Sequence, residues 1–536
     1  MNEAVAPRGR SVDRRDACLL VCLAVLSLMV FYPVFSAGFV LVDDHEILSY
    51  GSAARASPQL GDPPNLLQRI TIDEVSIGRV RPLYWLGRVS EIAVLGQNPA
   101  AWHVLLVGMG VLSAALLYLV LRGIGVDRLS GALASAWLLL APAHSVWIRL
   151  GPQESLGTLL VVLAAFATIR IGWEWVFAIS LSAATLAKES FSLVPPGVVA
   201  MRLWLDSARH LRDRRSSLTT TIVPLAVGLL ALGLALAVAL HAGALGQSGS
   251  RLGGSGQLIV EQTLLNFGIL AMLGGIVLPV QLVGVVREAL RGRPVRGWLI
   301  GAALVALIIL PQVALYQGDS FVVGRYQLPA GLALTAGIAA GNTWLRERGY
   351  RVLFAICITI WAVDVAVFAM WTWRDAEALR ADSAQLAQAV AAVVDTAPPG
   401  SAVAIAADPT DMDAHEPALS WTYHLAATGL SSYDMRLLVV PPRGGDAARA
   451  EESGSALART AFRGHRQSPD ADCSDLAAVI LVASEAATRQ ALPCLSTAAF
   501  RVRSFSETVS LGALRGWPLE PLVPSRNIEY NVLLRS

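Results

Sequence analysis

Residues Gly38 to Leu48 read GFVLVDDHEIL: two adjacent aspartates, a histidine and a glutamate directly after an apolar run. A carboxylate held at a membrane surface can take the proton of an incoming hydroxyl, which is general-base work. A lysine or guanidinium beside it can hold a departing phosphate as its charge develops. The chain carries both types. Asp43, Asp44 and Glu46 supply the acids, with His45 between them. Lys188 is the only lysine among 42 basic residues, and Glu189 follows it in LAKESFSLVPP. GRYQLPAGLAL carries Arg325 and Tyr326, while Arg81, His103 and Glu154 lie in the segments between. Adjacent carboxylates can also share a divalent cation between oxygen ligands, so a metal stays open from the sequence, and no other cofactor is called for.

The elements that must position these residues are membrane spans. Of 536 residues, 54% are hydrophobic and 15% charged, and the mean hydropathy is +0.55, well outside the composition of a soluble globular chain. Runs of roughly 20 apolar residues, enough to cross a hydrocarbon core, number eleven. Nine are 17–36, 102–121, 130–147, 155–171, 219–241, 264–286, 298–316, 327–345 and 352–373. Two shorter ones, 174–187 and 191–205, are separated by Lys188, Glu189 and Ser190. The first run is read as an anchor rather than a signal peptide, since no small-residue cleavage site follows it.

Arginines near span ends favour the cytoplasm. Arg8, Arg10, Arg14 and Arg15 keep the N-terminus inside, and alternate counting puts Arg122, Arg128, Arg170 and the clusters within 202–215, 287–296 and 346–351 on that same side. One missed span would send every later cluster to the wrong face. The same count places Asp43, Asp44, His45, Glu46, His144, Arg149, Glu154, Lys188, Glu189, Asp319, Arg325 and Tyr326 together on the opposite face. Ionisable groups at membrane depth are costly and mark a functional site by default. A formal net charge of +2 carries no partner information, and nothing in the chain points to nucleic acid.

The expected fold is mainly α, a polytopic membrane helix bundle over 1–373 followed by a small extracytoplasmic α/β domain over 374–536. The first external loop, 37–101, contains LLQRITIDEV and YWLGRVSEIAVL, read as helices lying along the membrane surface. The C-terminal part opens with a helix through AEALRADSAQLAQAVAAVVDTA, turns at PPG, and offers AVAIAA, RLLVVP and AAVILVA as strands. Residues 442–460 read as a loop. Cys473 and Cys494 fall in this part, outside the cytoplasm, where a disulfide can persist. Trp85, Trp102, Trp147 and Trp371 lie near predicted interfaces and read as aromatic belts.

Four segments, in order and on one face, resemble the GT-C superfamily of multi-span glycosyltransferases, most closely protein O-mannosyltransferase-like enzymes of the family 39 type. They are GFVLVDDHEI, RPLYWL with the following GQNPAAWHVLLVGMGVLSAALLYLVL, LAKESFSLVPP, and GRYQLPAGLAL. The resemblance covers about residues 35–345. It implies inverting transfer of a sugar from a polyprenyl-phosphate-linked donor to a protein or glycan acceptor, in the inner (plasma) membrane of a bacterium. It further implies an acid of the first loop as base, Asp43 favoured as first of the pair, with Asp44 and Glu46 beside it. Lys188 and Arg325 would contact the lipid phosphate, Arg81 and His103 would support them, and Glu154, Glu189 and Tyr326 join the substrate-binding set. The chain departs from the family pattern in PAHSVWIRLGPQES, where Val146 follows Ser145 and the acid arrives only at Glu154. It also lacks tetratricopeptide helices. The competing expectation is a non-enzymatic transporter or assembly protein for lipid-linked glycans on the same scaffold. Charges buried midway along several spans would favour that, and Glu174 and Asp364 are the main ones present.

Overall fold

The computed structural model describes residues 13–42, 44–50, 65–68, 70–71, 75, 79–151, 153–208, 214–241, 269–291, 306–310, 328–398, 400–410, 412–428, 434–441, 453–454, 466–467, 473–497, 500–510, 523 and 525–535. Among these the protein is mainly helical with one five-stranded sheet.

A capping box begins α1 (Arg14–Phe31): the Asp13 carboxylate accepts from the N–H groups of Arg15 and Asp16, and the Asp16 carboxylate accepts from Asp13. After a turn at Tyr32–Ser36 come α2 (His45–Ser49) and α3 (Pro82–Leu95), the latter with proline at its first position. α4 (Pro99–Gly123) is capped by Asn98 and α5 (Arg128–Leu140) by Asp127. Then follow α6 (Glu154–Thr168), α7 (Glu174–Ala187), α8 (Pro195–Ala208), α9 (Arg214–His241), α10 (Ile269–Leu290), α11 (Leu328–Glu347) and α12 (Arg351–Thr396).

Four stretches, Arg14–Ser36, Pro99–Gly123, Leu218–Val238 and Arg351–Thr396, are long and apolar enough to cross a membrane. The helices at 128–140, 154–168 and 174–187 are apolar but shorter. Val21, Met29, Leu229, Leu230 and Val352 turn outward and stay exposed, as a lipid-facing surface requires. Of the predicted runs, 298–316 is described only at 306–310. The run 130–147 is not one helix. It stops at Leu140 because Ala141 is extended ahead of Pro142, and two short turns, Pro142–His144 and Ser145–Ile148, follow.

Contacts group the described helix ends. At one end Asp16 accepts hydrogen bonds from Tyr118 at 2.7 Å, Arg122 at 3.1 Å and Arg128 at 3.0 Å. There too Asp127 accepts from the Thr343 hydroxyl at 2.9 Å. The start of α1, the end of α4, the start of α5 and the end of α11 therefore meet. At the other end the Gly38 N–H donates to Ser383 Oγ at 2.9 Å, and His144 Nε2 lies 2.9 Å from Asp375 Oδ2.

The tryptophans correct the sequence reading. Trp85, Trp102 and Trp147 are buried inside the protein, because α3 and the 142–151 turns fold over the bundle end instead of leaving those rings to lipid. Gly110 makes room for the Trp147 ring, which passes 3.0 Å from where a β-carbon would stand.

α12 runs unbroken for 46 residues, about 69 Å at 1.5 Å per residue. The expected boundary at 373/374 lies within it. The second half of this helix carries the sheet formed by β1 (Ala402–Ala407), β2 (Asp434–Val439), β3 (Leu476–Leu481), β4 (Phe500–Val509) and β5 (Arg526–Arg535), with α13 (Met412–Ala427) between β1 and β2. The strand order is β2-β1-β3-β5-β4, parallel through β2, β1 and β3 and antiparallel at β5 and β4. Alternation along β1 puts Val403, Ile405 and Ala407 in one core and Ala402, Ala404 and Ala406 in another. Both faces of β1 are thus covered, as a central parallel strand demands. Cys473 and Cys494 form a disulfide with Cα atoms 5.8 Å apart.

Candidate active site at one end of the bundle

α2 carries the acidic group. Asp44 precedes it, and its Oδ2 accepts the Val40 N–H at 2.7 Å, closing the turn that follows α1. Its side chain is buried. One residue past His45, the Glu46 carboxylate accepts a hydrogen bond from the Tyr84 hydroxyl of α3. Burial, and then the Glu46 charge, pushes the Tyr84 phenol well above its ordinary pKa, so it remains a donor at any physiological pH.

α3 then gathers cations around this tyrosine. The Arg81 and Arg88 guanidiniums each lie 5.2 Å from the Tyr84 ring centre. Arg88 Nε donates to the Tyr84 oxygen at 3.2 Å, and its Nη2 donates to the Leu150 carbonyl at 2.6 Å and the Gly151 carbonyl at 3.2 Å. Glu91 lies 3.6 Å from Arg88 Nη1. The turn ahead of α6 is thereby tied to α3. A cleft between them is lined by Tyr84, Gly87, Arg88, Glu91, Leu106, Gln153, Ser155 and Leu156.

The lysine segment joins the same group from the other side. Lys188 Nζ donates to Glu154 Oε1 at the start of α6, and both side chains are buried. Gly157 permits this approach: a β-carbon there would stand 2.5 Å from the Phe191 ring, which packs just past Lys188. Next to Lys188, Glu189 Oε1 lies 3.4 Å from the Val80 N–H, directly before Arg81. A continuous path of polar contacts and neighbours therefore runs from Glu46 through Tyr84, Arg81 and Glu189 to Lys188 and Glu154.

Of the residues singled out in the sequence, Asp44, Glu46, Arg81, Glu154, Lys188 and Glu189 thus lie at one end of the bundle. His103 is buried in the first turn of α4 and makes no polar contact with the acidic groups among the described residues. Its neighbour Trp102 faces the Arg88 guanidinium at 5.0 Å. Asp43, Arg325 and Tyr326 lie outside the described residues. Among the described residues, no three His, Cys, Asp or Glu side chains are grouped as a metal would require.

Sequence reasoning passed over Tyr84 and Arg88, although their spacing of four in RPLYWLGR puts both on one face of α3. It also passed over Asp375, which meets His144 and, at 3.6 Å, Arg526 of β5. No local pattern marks that contact, because its partners are 231 residues and a whole unit apart.

Chemically, the arrangement offers carboxylates at the chain's entry to the site and cations around it, with Arg81, Arg88 and Lys188 already holding a ring, carbonyls or a carboxylate. An entering phosphate would exchange for one of these partners rather than meet a bare charge.

No family model and no curated protein matches the chain. Among solved structures, it is similar to ArnT from Cupriavidus metallidurans in the apo state, at 12% identity over 97% of this chain and 98% of that one, with a TM-score of 0.47. It is similar to the Archaeoglobus fulgidus oligosaccharyltransferase in complex with Zn and sulfate at 12% identity, covering 86% of this chain and 67% of that one, with a TM-score of 0.40. The S. cerevisiae protein O-mannosyltransferase Pmt1-Pmt2 complex bound to its sugar donor is similar at 14% identity over 44% of this chain and 34% of that one, with a TM-score of 0.30.

Proposed function

We propose that this protein is an integral-membrane glycosyltransferase that moves a sugar from a polyprenyl-phosphate-linked donor to an extracytoplasmic protein or glycan acceptor. The observation that carries the reading is the path joining the acidic turn at Glu46 to the Lys188 segment through Tyr84 and Arg81, all at one end of a bundle of apolar helices. Acids that can deprotonate an alcohol and cations that can receive a phosphate stand within one neighbourhood, where the donor's headgroup would arrive from the membrane.

In the proposed step the acceptor hydroxyl gives its proton to a carboxylate of the 43–46 cluster as its oxygen bonds to the anomeric carbon. The bond from that carbon to the phosphate oxygen breaks, polyprenyl phosphate departs, and the single displacement inverts the anomeric centre. Asp44 is buried and committed to the Val40 N–H, and Glu46 is committed to Tyr84. Those bonds give both a holding role and favour Asp43 as the base. Lys188, Arg81 and Arg325 are the proposed phosphate contacts. The orientation, with the N-terminus in the cytoplasm and the site outside, rests on the arginine distribution.

The test supplies labelled polyprenyl-phosphate sugars to protein purified in detergent and compares wild type with Asp43→Asn, Asp44→Asn and Lys188→Ala. Loss of transfer in Asp43→Asn with retained donor binding is expected. Transfer that survives all three changes removes the site. Binding of such lipids without any transfer by wild type would move the reading to a transporter or assembly protein.

A further inference from the structure

The C-terminal α/β unit reaches back to the segment that carries the acids, and it does so through four independent contacts. First, the Gly38 N–H donates to Ser383 Oγ at 2.9 Å, on the part of α12 that supports the sheet. Second, Leu41, three residues before Asp44, is a member of the α/β unit's own apolar core, buried with Leu386, Trp421, Leu425 and Phe505 rather than with the bundle. Third, the Val40 carbonyl accepts a hydrogen bond from His424 Nε2 of α13 at 3.0 Å. Fourth, the His45 ring stacks on Tyr423 with centres 6.4 Å apart, and His45 Nδ1 lies 3.8 Å from Glu416 Oε1.

The Val40 peptide is thus held from both sides: its N–H by Asp44 within the turn, its carbonyl by α13. A carbonyl can only accept, so His424 must carry its proton on Nε2. Burial keeps that imidazole neutral by lowering its pKa to about 4. On β5, Tyr530 donates to Asp382, and its phenol is pushed up first by burial, then by the Asp382 and Asp44 carboxylates. Asp44 therefore sits within electrostatic reach of the C-terminal unit.

We infer that the C-terminal α/β unit is a working part of the site: His424, Glu416 and Tyr423 of α13 are positioning residues that fix the acidic turn, with Leu41 as its anchor in the unit's core. The inference rests on the reading of residues 43–46 as the acids of the transfer step. A base misplaced by about an ångström loses much of its rate, so the contacts that hold this turn bear on the reaction.

The experiment uses the full chain in nanodiscs and measures hydrogen exchange of a peptide covering 38–48 in wild type, His424→Phe, His424→Gln and Leu41→Ala. Phenylalanine keeps the ring but loses the donor, while the glutamine amide can donate to the Val40 carbonyl. Exchange in 38–48 should rise roughly tenfold in His424→Phe and in Leu41→Ala, stay within about twofold in His424→Gln, and leave the 102–121 helix unchanged. With a labelled polyprenyl-phosphate sugar as probe, His424→Phe should lower kcat about tenfold or more while the donor KM holds, and glutamine should restore it. Unchanged exchange in both His424→Phe and Leu41→Ala would overturn the brace, as would equal effects of phenylalanine and glutamine. If wild type transfers no sugar, the enzymatic reading fails, and the exchange measurement still decides whether the C-terminal unit holds the turn.

Discussion

Lys188 is the residue on which structure and chemistry make the sharpest demand. Its ammonium and the Glu154 carboxylate are both buried and bonded to each other. Replacing Lys188 by methionine keeps the length of the side chain but leaves a carboxylate of zero exposed area without its cation. Breaking a buried pair from one side costs about 3–5 kcal/mol, roughly two to four powers of ten in the folding equilibrium. Replacing both partners, Lys188→Met with Glu154→Leu, removes the orphaned charge and should return stability to within about 1 kcal/mol of wild type. The assay is denaturant unfolding of detergent-purified protein followed by tryptophan fluorescence, read as a double-mutant cycle. Transfer activity should be lost in the single and the double variant alike, which separates the pair's part in the reaction from its part in the fold. Because Lys188 is the only lysine, amine-selective acylation reads its burial directly: folded protein should take one adduct, at the α-amino group, and a second only on unfolding. A single variant as stable as wild type, or rapid acylation of Lys188 in folded protein, would refute the buried pair.

Gly157→Ala should cost about 1–3 kcal/mol, since the added carbon meets the Phe191 ring at 2.5 Å and must push it away; it should also speed acylation of Lys188, which the same denaturation and labelling assays report. Burial lowers the folded pKa of His424 to about 4, against about 6.5 unfolded, so the unfolded chain takes up the proton first as pH falls. The stabilisation is fully present above about pH 6.5 and declines toward pH 4, by roughly 3 kcal/mol in all; thermal melts across that window should show the decline, and His424→Gln should flatten it. Reduction of Cys473–Cys494, which closes a loop with a sequence separation of 21, should lower stability by about 3 kcal/mol, seen as a drop in Tm on adding a phosphine reductant. An unchanged Tm would place the disulfide outside the cooperative core.

Much of the architecture was legible because it follows from local pattern. Apolar runs of a set length become helices in or beside lipid whatever surrounds them, so α1, α4, α7 and α11 begin and end close to where the runs do. Asp16 meets Arg122 and Arg128 at one end of the bundle, and His144 meets Asp375 at the other. Strands β1, β2 and β3 announced themselves as short apolar runs. β4 and β5 did not, since FRVRSFSETV and RNIEYNVLLR are largely polar, bury and expose their residues in runs rather than in strict alternation, and gain their identity only by pairing with each other.

The sequence by itself determined that this is a chain of apolar helices ending in a small sheet, and it raised the expectation that acids, a lone lysine and several arginines share one face. Tertiary structure alone decided which of those charges touch. Tyr84 links Glu46 to the arginines of α3, Glu154 takes Lys188, and Leu41 leaves the bundle to join the core of the C-terminal unit. The reason is physical: hydropathy is read residue by residue along the chain, whereas a buried charge is stable only when a partner from elsewhere in the chain is folded against it.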